Sequence, residues 1–326
     1  MDSSKSHTQK QQHTPIPTSL PLKFTLEVHN KLGENILWDE QKQRIFWTDI
    51  QSSMLYEYQI HSQEMKVREL PERLTSFGLT TQSNLLICSF ESGFAYYSLL
   101  NKQITWLQKI ETANPGTRLN DGRVDRDGNF WAGTMVENSE IASDKGYLYR
   151  LQAGASMQAS QVQRYLSGLQ ISNGLCWSPD GKTMYHADSP AHTITQYQLI
   201  TDQDGESNIA PNLSDPVILA TTAEDHFPDG AITDKNGNIW SAQWGSSRVV
   251  CYSPSGNIIR TVTLPVSQVS CATIGGPELN WLIVTTASEL SAEQKKREPQ
   301  AGNIFVFQLP DSIGLIESRY RAPTSL

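Results

Sequence analysis

The feature that most constrains this chain is internal repetition. A short apolar run, a polar or glycine-bearing turn, and a second apolar or aromatic run return six times. Strong copies are Asn35–Asp49, Gly122–Gly133, Gly174–Asp188 and Gly230–Ala242, and weaker ones are Phe77–Cys88 and Cys271–Val284. The Asp-Gly and Asn-Gly steps inside them are hairpin turn chemistry. The residues just ahead of each copy are Glu34, Ser76, Asn120, Asn173, Asp229 and Ser270, with Asn120 taken one place earlier because Asp121 precedes its glycine. They recur at intervals of 42, 44, 53, 56 and 41 residues. Each interval leaves room for two further strands, such as Met54–Ile60 and Arg248–Tyr252. Helical periodicity is weak throughout. Six units of four antiparallel strands make an all-β, six-bladed β-propeller. The alternative is an all-β sandwich or barrel in which the turn similarity is accidental, and six spaced copies are hard to obtain by chance.

The ends of the repeat say how such a ring closes. The last unit shows three strands, ending in Gly302–Leu309, and an orphan strand, Leu22–Val28, precedes the first unit. Supplying the missing outer strand from the N-terminus removes an open edge. The expected organisation is a disordered N-terminal tail over 1–21, a propeller over 22–309, and a C-terminal tail over 310–326.

Composition narrows the function. The chain has 326 residues and a net charge of -8 from 34 acids and 26 bases. No basic cluster is present, so nucleic acid is excluded as a partner. No run approaches the ~18 apolar residues of a membrane span. The polar start of the chain lacks the apolar segment of a secretory signal. Cys88, Cys176, Cys251 and Cys271 are far apart and form no CxxC pair; three of them sit in apolar runs and read as buried, and a reduced, cytoplasmic compartment is expected. A closed propeller leaves few free edges, so a monomer is expected.

In a propeller the first strand of each blade lines the central axis. Glu34, Ser76, Asn120, Asn173, Asp229 and Ser270 therefore share one register and form a ring at one mouth. Every member carries a side-chain oxygen. Two are carboxylates, which repel unless a cation lies between them. Carboxylates with amide oxygens suit a hard divalent ion such as Ca2+, Mg2+ or Mn2+, and Zn2+ also enters oxygen sites. The plain alternative is that Asn, Asp and Ser before Gly are turn residues.

At these positions the sequence resembles the SMP-30/gluconolactonase/luciferin-regenerating-enzyme family. The resemblance is carried by Gly33-Glu34, Thr117-Arg-Leu-Asn-Asp-Gly-Arg-Val-Asp-Arg-Asp-Gly-Asn-Phe-Trp-Ala-Gly-Thr-Met135, Ile171-Ser-Asn-Gly-Leu-Cys-Trp-Ser-Pro-Asp-Gly181 and Phe227-Pro-Asp-Gly230. It implies one divalent metal, Ca2+ first with Zn2+, Mn2+, Mg2+ or Fe2+ as alternatives, on Glu34, Asn173 and Asp229. It implies a small-molecule sugar lactone as substrate, contacted by Arg118 and Asn120. Glu137 is the third substrate-binding candidate, standing where the family has an acid that touches sugar hydroxyls, although the matching slot counts to Asn138. The implied activity is hydrolysis of an aldonolactone ester, with Asp229 as general base. The alternatives are a hydrolase of another ester or phosphotriester, and a non-enzymatic calcium-binding propeller.

The remaining motifs are weaker. His186, Asp188 and Ser189 hold the residue types of a serine triad but are nearly adjacent on one strand, where side chains alternate faces. His186 and His192 are not at HExxH spacing and read as blade-surface residues. Ile274–Pro277 reads as a turn. Trp47, Trp131, Trp177 and Trp240 recur at strand positions and read as inter-blade packing. Trp244 is a candidate for the mouth. Asp121 and Asp188 read as buttresses of strand ends. The insertion Val136–Lys145 is either a lid or a plain loop, and His7 and His13 are weak metal candidates in the N-terminal tail.

Overall fold

The computed structural model describes residues 19–156, 162–200 and 211–324. The N-terminal positions His7 and His13 lie outside the described residues. Six antiparallel sheets are arranged as a six-bladed β-propeller. Their inner strands are Gly33–Asp39, Leu74–Leu79, Thr117–Val124, Ser172–Trp177, Phe227–Thr233 and Val269–Gly275, which open blades 1 to 6 in order. Blade 4 carries an additional two-residue strand, Asn212–Leu213, beside its outer strand Val217–Thr221. Among the described residues no helix is long and apolar enough to cross a membrane.

The ring closes as the repeat requires. Leu22–Leu26 pairs with Ile304–Gln308, with Leu22 opposite Phe307 and Leu26 opposite Ile304. Phe24 packs edge-on against Trp281 at 5.7 Å and fixes this seam.

Among the described residues, four of the six blade seams carry pairs of Phe or Trp rings. Phe46 meets Phe77 at 6.3 Å, Phe94 meets Phe130 at 6.1 Å, Trp131 meets Trp177 at 6.0 Å and Trp38 meets Trp281 at 6.4 Å, each pair bridging two blades. Edge-on and tilted arrangements of this kind place ring edges on ring faces. Trp47 instead stacks within its own blade on Tyr56 and donates to Asn30 Oδ1.

The repeated Asp-x-x-Gly-Asn-x-Trp stretches have one physical cause. Asp125 accepts from the Asp127 and Asn129 amides, from the Asn129 side chain, and from Trp131 Nε1. Asp234 does the same for Asn236, Asn238 and Trp240. A single carboxylate thus sets the turn and anchors a core tryptophan. The four cysteines are free and buried.

Residues 310–324 do not hang free. Apart from a single parallel bridge of Tyr320 with Thr80 they join no ladder, yet they run across the C-terminal ends of the inner strands. Lys235 donates to Ile313 O, Tyr320 donates to Leu79 O, and Gly154 donates to Arg321 O. Tyr320 is fully buried, and Arg319 pairs with Asp39 at 2.8 Å and with Glu40 at 3.0 Å. This strap reaches blades 1, 2, 3, 5 and 6. It was unreadable because single anchors at irregular spacing, not a period, hold it.

Candidate active site

All six inner strands break their ladder at the same level, near their N-terminal ends. The register shifts fall between Glu34 and Leu37, Leu74 and Ser76, Leu119 and Gly122, Asn173 and Cys176, Pro228 and Ala231, and Val269 and Cys271. Bulges re-aim side chains, and here they turn polar groups toward the axis. Asn35 and Gly174 adopt positive φ at these bulges, 46° and 65°.

Four of the six expected ring members join one group: Asn120 bonds Asn173, Asn173 is tied through Ser189 to the strand of Asp229, and Asp229 feels the charge of Glu34. Ser76 and Ser270 do not: Ser76 bonds Ser89, and Ser270 bonds Gly33 O and Thr285, all buried between strands. Their hydroxyls are consumed in holding the inner strands.

The acidic side of the site has three members. Asp229 is 7% exposed, and its Oδ1 accepts from the Gly230 amide at 3.0 Å. Glu34 Oε2 accepts from the Asn35 amide at 3.1 Å. Asp121, expected only to buttress a strand end, does accept from the Leu175 amide at 2.9 Å. Its charge, however, is felt by both other carboxylates. Burial, then Asp121, push Glu34 up to about 8, against the Asn35 amide and Arg118. Burial, then Glu34 and Asp121, raise Asp229 well above the usual carboxylate range. Burial raises Asp121 too, opposed by the amides of Leu175, Gly122 and Gly174 and by Arg123.

Carboxylates held together without a side-chain donor of their own are a place for a cation. Asn173 completes the set. Its Nδ2 donates to Ser189 Oγ at 2.8 Å, and Ser189 in turn donates to Pro228 O at 2.7 Å, so the amide is locked. Glu34, Asn173 and Asp229 together could hold a divalent ion. Among the described residues no three His, Cys, Asp or Glu side chains form a metal-ligating group, and the donors that fit here are two carboxylates and an amide oxygen.

A hydrogen-bonded chain leads outward from this set. Asn120 Nδ2 donates to Asn173 Oδ1 at 3.1 Å and to Ser172 O at 3.0 Å. Arg118 Nη1 donates to Asn120 Oδ1 at 2.9 Å, and Arg118 Nε to Glu137 Oε1 at 2.9 Å. Arg118 is only 6% exposed, whereas Glu137 stands at the surface. Asn138 faces elsewhere: its side chain accepts from the Glu140 amide. Glu137 is held down to about 2, first by Arg73 and then by Arg118 against the opposing effect of burial.

The insertion that carries Glu137 is pinned. Glu137 and Asn138 donate to Gly116 O, and Ser143 donates to Asn114 Oδ1. A Cβ at Gly116 would come within 2.4 Å of the Ala142 amide, so the two segments touch at backbone distance.

Blades 4 and 5 contribute a different rim. Phe227 lies opposite Trp244 in the ladder, and His192 packs on Phe227 at 4.8 Å. Trp244 is half-buried at its strand end. His226, which sequence reasoning missed, bonds Arg248 at 2.8 Å. His186 is not a surface residue. It is 2% exposed, bonds Ser172 Oγ at 2.9 Å, and is lowered to about 4 by burial. Asp188 accepts from the Gln170 and Ile171 amides, as a strand buttress does.

Comparison with known proteins follows this geometry. The model of the SMP-30/Gluconolactonase/LRE-like region matches residues 32–288. The chain is 33% identical to L-arabinolactonase of Azospirillum brasilense over 86% of its length and 90% of that protein. It is 31% identical to 6-deoxy-6-sulfogluconolactonase of Pseudomonas putida over 87% of its length and 93% of that protein. Among solved structures, the calcium-binding protein regucalcin from Agrobacterium tumefaciens superposes with a TM-score of 0.82 at 26% identity, covering 94% of this chain and 100% of that one. By sequence and by fold, this chain belongs to the SMP-30/gluconolactonase/LRE-like family.

Proposed function

We propose that the protein hydrolyses the internal ester of a sugar aldonolactone. The observation that carries this is the joining of two unlike features in one mouth. A carboxylate and amide set suited to a cation is connected, through Asn120, to a polar clamp of Arg118 and Glu137 suited to hydroxyl groups. Relatives named as an arabinolactonase and a sulfogluconolactonase support the same substrate class.

Glu34, Asn173 and Asp229 would hold one divalent cation, which when bound supplies Lewis-acid polarisation of the ester carbonyl and a more acidic water. Asp229 removes a proton from the attacking water at Oδ2, the oxygen not bonded to Gly230. Water oxygen adds to the carbonyl carbon, the bond from that carbon to the ring oxygen breaks, and the proton passes to the departing ring oxygen. The product is an open-chain aldonic acid. Arg118 and Asn120 orient the ring through its oxygens, and Glu137 accepts from its hydroxyls.

The test is acid release from gluconolactone, xylonolactone, arabinonolactone and galactonolactone. It is run with chelator and with Ca2+, Zn2+, Mn2+, Mg2+ or Fe2+ added back. Turnover lost with chelator and restored by at least one ion is expected. No metal-dependent turnover on any aldonolactone would set this reading aside in favour of a calcium-binding propeller.

A further inference from the structure

The chain of hydrogen bonds that begins at Asn173 does not end at Glu137. Arg73, in the turn leading into the inner strand of blade 2, donates from Nη1 and Nη2 to the two oxygens of Glu137, at 2.7 and 2.8 Å. Its Nε donates to Glu91 Oε2 at 2.7 Å. Glu137 Oε1 therefore receives Arg73 and Arg118 together. Three blades contribute to one path from the axis to the rim: Asn173 from blade 4, Asn120 and Arg118 from blade 3, and Arg73 from blade 2.

The geometry points to Arg73 as a positioning residue for substrate hydroxyl recognition: its two-pronged grip holds the Glu137 carboxylate in one orientation beside Arg118. This rests on the lactonase reading above. A planar guanidinium is suited to the task because it presents two parallel donors to a carboxylate, fixing its plane as well as its place. Glu137 is at the surface, at the end of a strand, and without a partner its side chain would sample several rotamers. Held by Arg73, it offers the remaining lone pair of Oε2 to a hydroxyl donor. An ionised carboxylate cannot donate, so at this point the clamp reads hydroxyl donors on the ring.

Arg73→Ala and Arg73→Lys are compared with the wild-type chain on two esters: gluconolactone, and δ-valerolactone, whose ring carries no hydroxyl. Binding of 1,5-anhydroglucitol, a ring polyol without an ester, is measured alongside. Expected for Arg73→Ala are a KM for gluconolactone raised about tenfold or more, kcat within about threefold, and an unchanged rate constant kcat/KM for δ-valerolactone. Polyol affinity falls by a like factor, and Arg73→Lys recovers part of each loss because one contact replaces two. Equal losses on both esters, or no loss in a folded Arg73→Ala protein, would overturn the assignment. If wild type turns over neither ester yet binds the polyol in an Arg73-dependent way, the positioning role stands and the lactonase reading falls. Neither turnover nor polyol binding would end both.

Discussion

The Asn120 side chain crosses from blade 3 to blade 4 and donates to Asn173 Oδ1 at 3.1 Å. That bond joins the cation-suited set to the Arg118 and Glu137 cluster, so the two halves of the proposed site are mechanically one. The same amide also donates to Ser172 O, which leaves Asn120 no freedom to rotate without losing both.

The first prediction concerns the three carboxylates. In metal-free protein, Glu34, Asp121 and Asp229 repel one another in a buried setting. Asp229→Asn keeps the shape and takes out the carboxyl whose ionisation burial, Glu34 and Asp121 oppose, so chelated protein of this variant should melt at or above the temperature of chelated wild type. Added divalent ion should raise the melting temperature of wild type and leave the variant nearly unmoved, since only a bound ligand stabilises by mass action. Turnover in Asp229→Ala should be lost. Calorimetric scans with and without chelator check the first two statements, and retained activity in Asp229→Ala would contradict the assigned base.

A second prediction separates binding from chemistry. Arg118 touches Asn120 and Glu137, not the carboxylates of the axis. Arg118→Ala should raise KM with a smaller change in kcat. Because Arg118 and Asn120 share a bond, the double variant should cost less than the sum of the single ones. Strict additivity in a double-mutant cycle would show that the two act independently.

How much of this was legible in the residues depends on what repeats. The blades and their closure follow from turn chemistry and alternation, and Asp125 and Asp234 show why: each turn signal is also the anchor of a core tryptophan. The ring register was readable at Glu34, Asn120, Asn173 and Asp229. It misled at Ser76 and Ser270, because a small hydroxyl at a bulge is as useful between strands as toward the axis. Asn35 escaped notice although it ties three blades, accepting from the Phe77 amide and donating to Gly122 O. Its positive φ, which asparagine tolerates better than most residues, shows only in the structure. Arg73 lies in an unremarkable turn, and only the fold brings it 64 positions along the sequence to Glu137.

The third prediction is a pH effect. His186 is buried neutral, with its folded value lowered to about 4 from 6.5 by burial. The unfolded chain binds a proton there that the folded chain refuses, so this group stabilises fully above about pH 6.5. The contribution is lost as pH falls toward 4, about 3 kcal/mol over the whole window. Raised carboxylates act with the opposite sign, so the comparison must be differential. Urea unfolding of wild type and His186→Gln at pH 7 and pH 5 should show wild type losing about 2 kcal/mol more than the variant between the two. Parallel losses would mean His186 does not titrate in this range.

The last prediction concerns the strap. Tyr320 is fully buried against Tyr96 at 6.1 Å, its hydroxyl donates to Gln152 O at 2.6 Å, and it accepts from the Ala155 amide at 3.1 Å. Its backbone donates to Leu79 O and accepts from Thr81, so one residue links blade 2 to blade 3. Truncation to Ala removes an aromatic ring from a packed core and strands two buried polar partners, a loss of about 3–5 kcal/mol. Tyr320→Phe keeps the ring and loses the hydroxyl contacts, and should cost about 1–2 kcal/mol. The site carboxylates lie at the other ends of the inner strands, so KM at a temperature where each variant is folded should stay within about twofold of wild type. Denaturant midpoints and steady-state kinetics on the same preparations decide it. A Tyr320→Ala protein as stable as wild type would mean that residues 310–324 do not brace the propeller.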